Sequence, residues 1–186
     1  MPRLTTHALS IPKPIIAAVN GACAGLGFVH ALMCDLRFAA AGAKFTTAFV
    51  RRGLIAEHGS SWLLPRLIGH ARALDILLAG RVFLAEEALA LGLVNRVVPG
   101  DTLMAETLAY ARDLAANCSP AAMATIKAQV YRHWEEGLAP SLAESNALMA
   151  RSLREPDFRE GVSSFVERRA PRFQPLAAGS KGYLGS

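Results

Sequence analysis

Gly21, Gly25 and Gly27 fall where an apolar β-branched run over 15–19 gives way to a second apolar stretch that reaches about Cys34. The first run reads as a buried strand. Asn20-Gly21 breaks it, and Gly25-Leu26-Gly27 opens a helix. A strand, a glycine turn and a helix start together offer backbone N–H groups that have no partner within the helix, at the positive end of its dipole. Such a turn binds an anion, or the oxygen on which negative charge develops during a reaction. From the residues alone, a helix-packing turn that needs small side chains is the plainer alternative. A Rossmann fingerprint fits poorly, because the third glycine of G-x-G-x-x-G would fall at His30, and no Gly-Lys-Ser/Thr of a phosphate-binding loop is present.

The elements that must hold this turn are legible as alternating short strands and helices. Strands are expected near 15–19, 36–40, 81–83 and 93–98, with a further extended piece at 44–46 set off by Gly42. Helices are expected near 26–35, 59–68, 70–79 and 85–91, and the alternation argues for repeated ββα units rather than a helix bundle. Gly69, Gly80 and Gly92 stand where helices should stop, and Pro65 should shorten or kink the 59–68 segment. Beyond Pro99 the pattern is helical throughout. Asp101 caps a helix to about Ala116, with Leu103, Leu108, Ala111 and Leu114 at helical spacing. Ser119-Pro120 is a strong start for a helix to about Glu136, and further helices are expected at 140–153 and 157–168. The expected organisation is an α/β part over 1–100 and a helical part over 101–186, with no fixed repeat between them.

The chain has 186 residues, 52% of them hydrophobic and 19% charged, so it has material for a real core. No apolar run approaches the ~18 residues that cross a bilayer. Met1-Pro-Arg-Leu-Thr-Thr-His7 offers no signal-peptide apolar region. Three cysteines, Cys23, Cys34 and Cys118, lack metal spacing and an even count, which favours a reduced, cytoplasmic protein. Cys23 and Cys34 read as small packing residues. The net charge of +5 suits a polyanionic ligand, although much of it sits near the end, in Arg168, Arg169, Arg172 and Lys181, where a solvated tail explains it equally well. With neither an RNA-binding aromatic motif nor a zinc finger, nucleic acid is not an expected partner.

The order of motifs adds more. Lys13-Pro-Ile-Ile-Ala-Ala-Val-Asn-Gly21, the Gly-x-Gly turn and Cys34-Asp-Leu-Arg37 are followed by Gly53-Leu-Ile, Leu64-Pro-Arg-Leu-Ile-Gly69, Ala79-Gly-Arg-Val-Phe-Leu-Ala-Glu-Glu-Ala88, Gly92-Leu-Val-Asn-Arg-Val-Val-Pro99 and Glu160-Gly-Val-Ser-Ser-Phe-Val-Glu-Arg-Arg169. This series resembles the crotonase (enoyl-CoA hydratase/isomerase) superfamily over nearly the whole chain. The resemblance implies an α/β fold, a spiral of ββα units, with a C-terminal helical region that builds a homotrimer or a homohexamer. It also implies several further strands and a helix ahead of Lys13, which in the family carry the second oxyanion donor and much of the adenine-side surface. Here twelve residues precede Lys13, so a shortened spiral is expected, whether from a truncated frame, a fragment or a natural variant.

By the same resemblance, the backbone N–H of Leu26, flanked by Gly25 and Gly27, is the oxyanion donor for a thioester enolate, and Ala22 borders the substrate. The two glutamates of the two-carboxylate hydratases fall at Val29 and Phe49, so two-carboxylate water addition cannot be carried over. Glu57 matches the acid of the single-carboxylate and dehalogenase branches. It is expected at the start of the next helix, against an apolar pocket of Phe49, Trp62 and Leu26 that would raise its pKa; the alternative is a solvent-facing residue at a helix start. His58 and His30 are expected to be structural, and Asp35 and Arg37 to be a scaffold pair. Phe45, Phe49 and Trp62 are core or acyl-pocket aromatics, with Phe49 and Trp62 carried as substrate-binding. Phe165 and Arg168 match positions that in relatives reach the coenzyme A moiety of a neighbouring subunit, with Arg168 on phosphate; a solvated arginine on a terminal helix is the alternative for Arg168.

Two functions remain in play. One is an acyl-CoA hydratase or double-bond isomerase of fatty acid metabolism, with Leu26 N–H and Glu57 as its machinery. The other is a non-catalytic remnant that binds CoA thioesters or only oligomerises. Neither requires a metal or a separate cofactor, since coenzyme A arrives as part of the substrate, and neither requires a membrane.

Overall fold

A computed structural model describes residues 5–176 and 179. Lys181 lies outside the described residues. The chain divides into two compact units, one made of the segments to Ala8 and Ile15–Ala109, the other of Leu9–Pro14 and the chain from Tyr110 onward.

The first unit holds six strands in two small sheets. Strands β1 (Ile16–Val19), β3 (Leu36–Ala40) and β6 (Arg96–Val98) form a parallel sheet in the order β1-β3-β6, with Ala18 opposite Phe38 and Phe38 opposite Arg96. Strand β2 (Cys23–Ala24) pairs parallel with β4 (Lys44–Thr46), which pairs antiparallel with β5 (Phe83–Leu84). Four helices connect the strands: α1 (Leu26–Leu32), α2 (Ser60–Ile68), α3 (His70–Ala79) and α4 (Ala85–Ala90). Parallel neighbours require crossovers, and these helices supply them. The expected α/β alternation is therefore present.

Its core is aromatic. Phe28 of α1 meets Phe45 and Phe83 edge-on, with ring centroids 6.4 and 6.2 Å apart, and Phe45 and Phe83 stack at 5.7 Å. All three rings are buried, so Phe45 is core and not a ligand platform. Val29, at a position where two-carboxylate hydratases hold a glutamate, is fully buried in α1 beside Phe28.

The helix-to-strand corner after α1 is built by Asp35 and Arg37, as expected, though each has its own role. Asp35 Oδ2 accepts the Ile15 N–H at 2.7 Å and so ties the start of β1 to the corner. Arg37 is buried, and its guanidinium donates to the carbonyls of Leu93 (2.6 Å), Cys34 (2.5 Å) and Ala31 (3.1 Å). Gly80 closes α3 at φ +53, where an added Cβ would lie 2.8 Å from Val50 Cγ1. Pro65 sits inside α2, which ends three residues later at Ile68. Burial pushes the Cys23 thiol up to about 11, with Cys34 nearby adding to the shift, so it packs as an inert neutral group.

Helix α5 (Leu103–Asn117) leads into the second unit, which adds α6 (Pro120–His133), α7 (Leu138–Ser152) and α8 (Pro156–Val166). The buried residues of α5 are Leu103 and Thr107, one helical turn apart, whereas Leu108 is exposed. The apolar spacing thus marked Leu103 correctly and missed that Thr107, one turn on, completes the buried face by donating its hydroxyl to the Leu103 carbonyl at 2.7 Å. Ser119 caps α6 as the sequence indicates, accepting the Ala122 N–H at 3.2 Å and donating to Asp157 of α8. Lys127 is buried and donates to the Lys13 carbonyl at 3.1 Å. Arg169 grips Glu160 with two nitrogens, at 2.5 and 3.0 Å. That pair, with the Arg172 N–H, holds the Glu160 carboxyl down at about 2.

Candidate active site

The glycine turn sits where β2 ends and α1 begins. Gly25 adopts φ +52 and ψ −120, a conformation that L side chains rarely take, and donates its N–H to the Thr46 carbonyl at 3.2 Å. The strand pairing of Cys23 and Ala24 with Phe45 and Thr46 therefore continues through Gly25, and only then does the chain turn into the helix. Leu26 is the first residue of α1, so its N–H has no intrahelical acceptor, and no side chain caps this helix start. Its side chain and Gly27 are exposed, and an added Cβ on Gly27 would meet nothing within 4 Å. Backbone polarity is thus presented on an open surface that can accept the flat face of an acyl group.

A shallow depression of about 290 Å³ flanks this turn, lined by Ala24, Gly25, Thr47, Ala48, Phe49, Arg52 and Leu54. Phe49 Cε1 would lie 3.9 Å from a Cβ on Gly25, so the phenyl ring closes one side of the turn. The loop from Thr46 to Gly53 is held by side chains. Thr46 Oγ1 accepts the Ala48 N–H at 3.1 Å and donates to the Gly80 carbonyl at 3.2 Å. Ala48 takes a left-handed φ of 58 within it. Thr47 Oγ1 is buried and has no hydrogen-bond partner among the described residues.

Glu57 stands apart from that depression. It lies in the turn Glu57–Gly59, ahead of α2 rather than at its first residue, and its carbonyl accepts the Ser60 N–H at 3.0 Å. Its side chain is one-third exposed, with His58 Nε2 at 3.8 Å from Oε2. His58 has a left-handed φ of 53 and faces solvent. The apolar enclosure expected around Glu57 is looser than the sequence suggests. Leu26 is exposed, and the guanidinium of Arg66 covers the Trp62 ring at 4.2 Å. Ala22 and His30 are exposed. Phe165 and Arg168 belong to the second unit, at the end of α8, where both are exposed and Arg168 has a left-handed φ of 53.

The structure therefore brings together Gly25 and Phe49, with Leu26 and Gly27 beside them on α1. Thr47 and Arg52, which line the same depression, have no signature in sequence. Their position depends on the left-handed residue Ala48 and the Thr46 bonds, which only the folded loop reveals.

Comparison with known proteins decides the family. A family model described as enoyl-CoA hydratase/isomerase matches residues 1–175. The chain belongs to the enoyl-CoA hydratase/isomerase family. It is 41% identical over 163 residues to the enoyl-CoA hydratase ACTT3 of Alternaria alternata, covering 87% of this chain and 55% of that protein. It is 38% identical to the 1,2-epoxyphenylacetyl-CoA isomerase of Escherichia coli, covering 91% of this chain and 64% of the relative. Among solved structures, the enoyl-CoA hydratase of Bacillus anthracis superposes with a TM-score of 0.87 at 31% identity, over 91% of this chain and 65% of that one. The chain thus spans less than two thirds of the length of these relatives. Membership explains why the motif series runs in one order, and it is consistent with family segments expected ahead of Lys13.

Proposed function

We propose that this chain provides the thioester-binding half of an enoyl-CoA hydratase or isomerase site, with the Leu26 N–H directed at the thioester oxygen. The observation that carries the reading is the turn at Gly25–Gly27. Gly25, bonded to Thr46 in a conformation that L side chains rarely adopt, leads into a helix whose first N–H has no intrahelical acceptor, with Gly27 exposed beside it. As the α-carbon of an acyl thioester gains or loses a proton, negative charge collects on the carbonyl oxygen. A pre-aimed N–H stabilises that charge more than it stabilises the neutral ground state.

Phe49 and Leu54 give the acyl chain an apolar wall, and Arg52 adds a positive charge to the same depression. Glu57 is the acid/base group of this reading. In hydration it takes a proton from the water that adds to the β-carbon and returns one to the α-carbon; in isomerisation it carries a proton from the α-carbon to the γ-carbon as the double bond moves. By the resemblance, Phe165 and Arg168 serve the coenzyme A moiety of a thioester held by a neighbouring subunit, with Arg168 on phosphate.

Gly27→Val tests the oxyanion assignment cleanly, because an added side chain meets open space and leaves the fold in place. Calorimetric affinity for an acyl-CoA is expected to fall about tenfold or more, as the branched side chain occupies the thioester's approach. Unchanged affinity would move the site elsewhere. Gly25→Val should act in the same direction but also strain the backbone.

A non-catalytic role is the second reading. It is favoured by Val29 and Phe49 standing where carboxylates serve other members, and by Glu57 lying outside the depression.

We also infer assembly into a trimer or a dimer of trimers through the helices after residue 100. Ile126, Met149, Phe158 and Val162 line a groove of about 1220 Å³ formed by α6, α7 and α8, and Val130 and Leu142 are exposed elsewhere on α6 and α7. Apolar surface on this scale is unusual for a monomer. Light scattering at micromolar concentration is expected to give three or six chains per particle; a well-folded monomer would remove this assignment.

A further inference from the structure

The end of the α6–α7 hairpin carries donor groups that acyl-CoA chemistry leaves unused. His133 is the last residue of α6, Glu136 lies in the turn that follows, and Glu144 stands on α7. One donor atom of each lies within 4.8 Å of the other two. His133 Nε2 and Glu144 Oε2 are 2.8 Å apart. Nitrogen and oxygen ligands at about 2.0–2.2 Å from a tetrahedral ion stand roughly 3.3–3.6 Å from one another, so His133 Nε2 and Glu144 Oε2 need to part by less than about 1 Å to share one. Glu136, on an exposed turn, reaches the third position by rotating its side chain.

Glu144 divides its work between its two oxygens. Oε1 accepts from Arg132 Nη1 at 2.5 Å, while Oε2 faces His133. An outer partner that fixes the rotamer of a ligating carboxylate is what surrounds protein-bound metals. Arg132 therefore need not be displaced when an ion takes Oε2. Two carboxylates against one guanidinium also leave a net negative charge to attract a cation, and His133 and Glu144 are both partly shielded from solvent.

We propose that His133, Glu136 and Glu144 form a zinc-binding site that clamps the α6–α7 hairpin. Imidazole with carboxylates, and no thiolate, selects a zinc-class ion over calcium or magnesium, which prefer all-oxygen shells. The ion takes the place of the Nε2 hydrogen in the His133–Glu144 bond, that proton passing to water while Nδ1 keeps the ring's other hydrogen, and it joins three points that are separate in the chain: a helix end, a turn and the next helix. Any ion held there stabilises the folded chain by mass action.

The test is titration of zinc chloride into the full chain after chelator treatment, followed by calorimetry and by thermal melting. One ion per chain is expected, with a rise in melting temperature. Glu136→Gln and His133→Ala should each weaken binding by at least about tenfold and abolish the thermal shift. Glu136→Gln is the decisive variant, because this exposed residue makes no side-chain bond that folding depends on and all three cysteines stay in place. Equal zinc affinity in Glu136→Gln and the parent would assign the ion to another site, and no measurable binding to the parent would remove the site altogether.

Discussion

Glu57→Gln is expected to cut turnover of a 2-enoyl-CoA by about 10²–10⁴-fold while leaving acyl-CoA affinity within a factor of two or so. The amide keeps the shape of the carboxylate and cannot exchange a proton at working pH. Its structural cost is small, since the carboxylate is one-third exposed and stands 3.8 Å from His58 Nε2, beyond hydrogen-bond distance; an exposed contact of this kind contributes little to stability. A loss of rate with retained binding is the signature of an interaction made only in the transition state. The positions that hold carboxylates in two-glutamate hydratases are Val29, fully buried, and Phe49, 8% exposed, so neither can substitute. The check is loss of absorbance of the conjugated thioester in parent and variant under identical conditions. Equal rates in the two would take the proton transfer away from Glu57. A parent without activity would leave the non-catalytic reading standing.

Arg37→Ala is expected to destabilise the first unit by about 3 kcal/mol or more. The side chain is 4% exposed and donates to three carbonyls, those of Ala31, Cys34 and Leu93. Truncation leaves these acceptors without their donor inside the protein, each at about 1–3 kcal/mol, and also opens a cavity. The contacts join the end of α1, the corner before β3 and the approach to β6, so the β1-β3-β6 sheet and the helix that follows the glycine turn lose their common pin. Arg37→Lys should recover only part of the loss, because an ammonium cannot reproduce the fork of donors. Urea unfolding monitored by circular dichroism reads the difference. A loss below about 1 kcal/mol would mean that water replaces the guanidinium at this corner.

Most of the secondary structure is legible from residue order, for identifiable reasons. Ile16–Val19 and Leu36–Ala40 are short apolar runs closed by turn residues. Ser119-Pro120 caps a helix locally, and Gly69 and Gly80 end helices through their own positive φ. Each of these signals acts within a few residues of itself. The strand expected at 81–83 instead begins at Phe83, because Arg81 is drawn to Asp75 and Glu87 across 2.6–3.1 Å. The strand expected from 93 begins at Arg96. Leu93 is occupied by Arg37, and Asn95 exchanges bonds with the Arg37 backbone. Strand β2 is two residues long and is defined wholly by its partner β4, so no local pattern announces it.

The same division holds for the site. The order of glycines, the apolar residues at 29 and 49 and the single carboxylate at 57 determine the family and which acid/base schemes are open, because these depend on residue identity alone. Tertiary structure decides what surrounds them. Gly25 is fixed by a bond to Thr46, Phe49 is folded back toward that turn, and Arg66 covers the ring of Trp62. Glu57 is left in a turn, one-third open to water, and Thr47 is buried in the depression beside the glycine turn. Apart from the Arg66–Trp62 contact, which spans about one helical turn, each of these placements joins residues twenty or more positions apart, or depends on a left-handed backbone step at Ala48 or His58. Local propensity carries no information about either, since a non-glycine residue adopts such a step only when the surrounding packing and hydrogen bonds outweigh its cost.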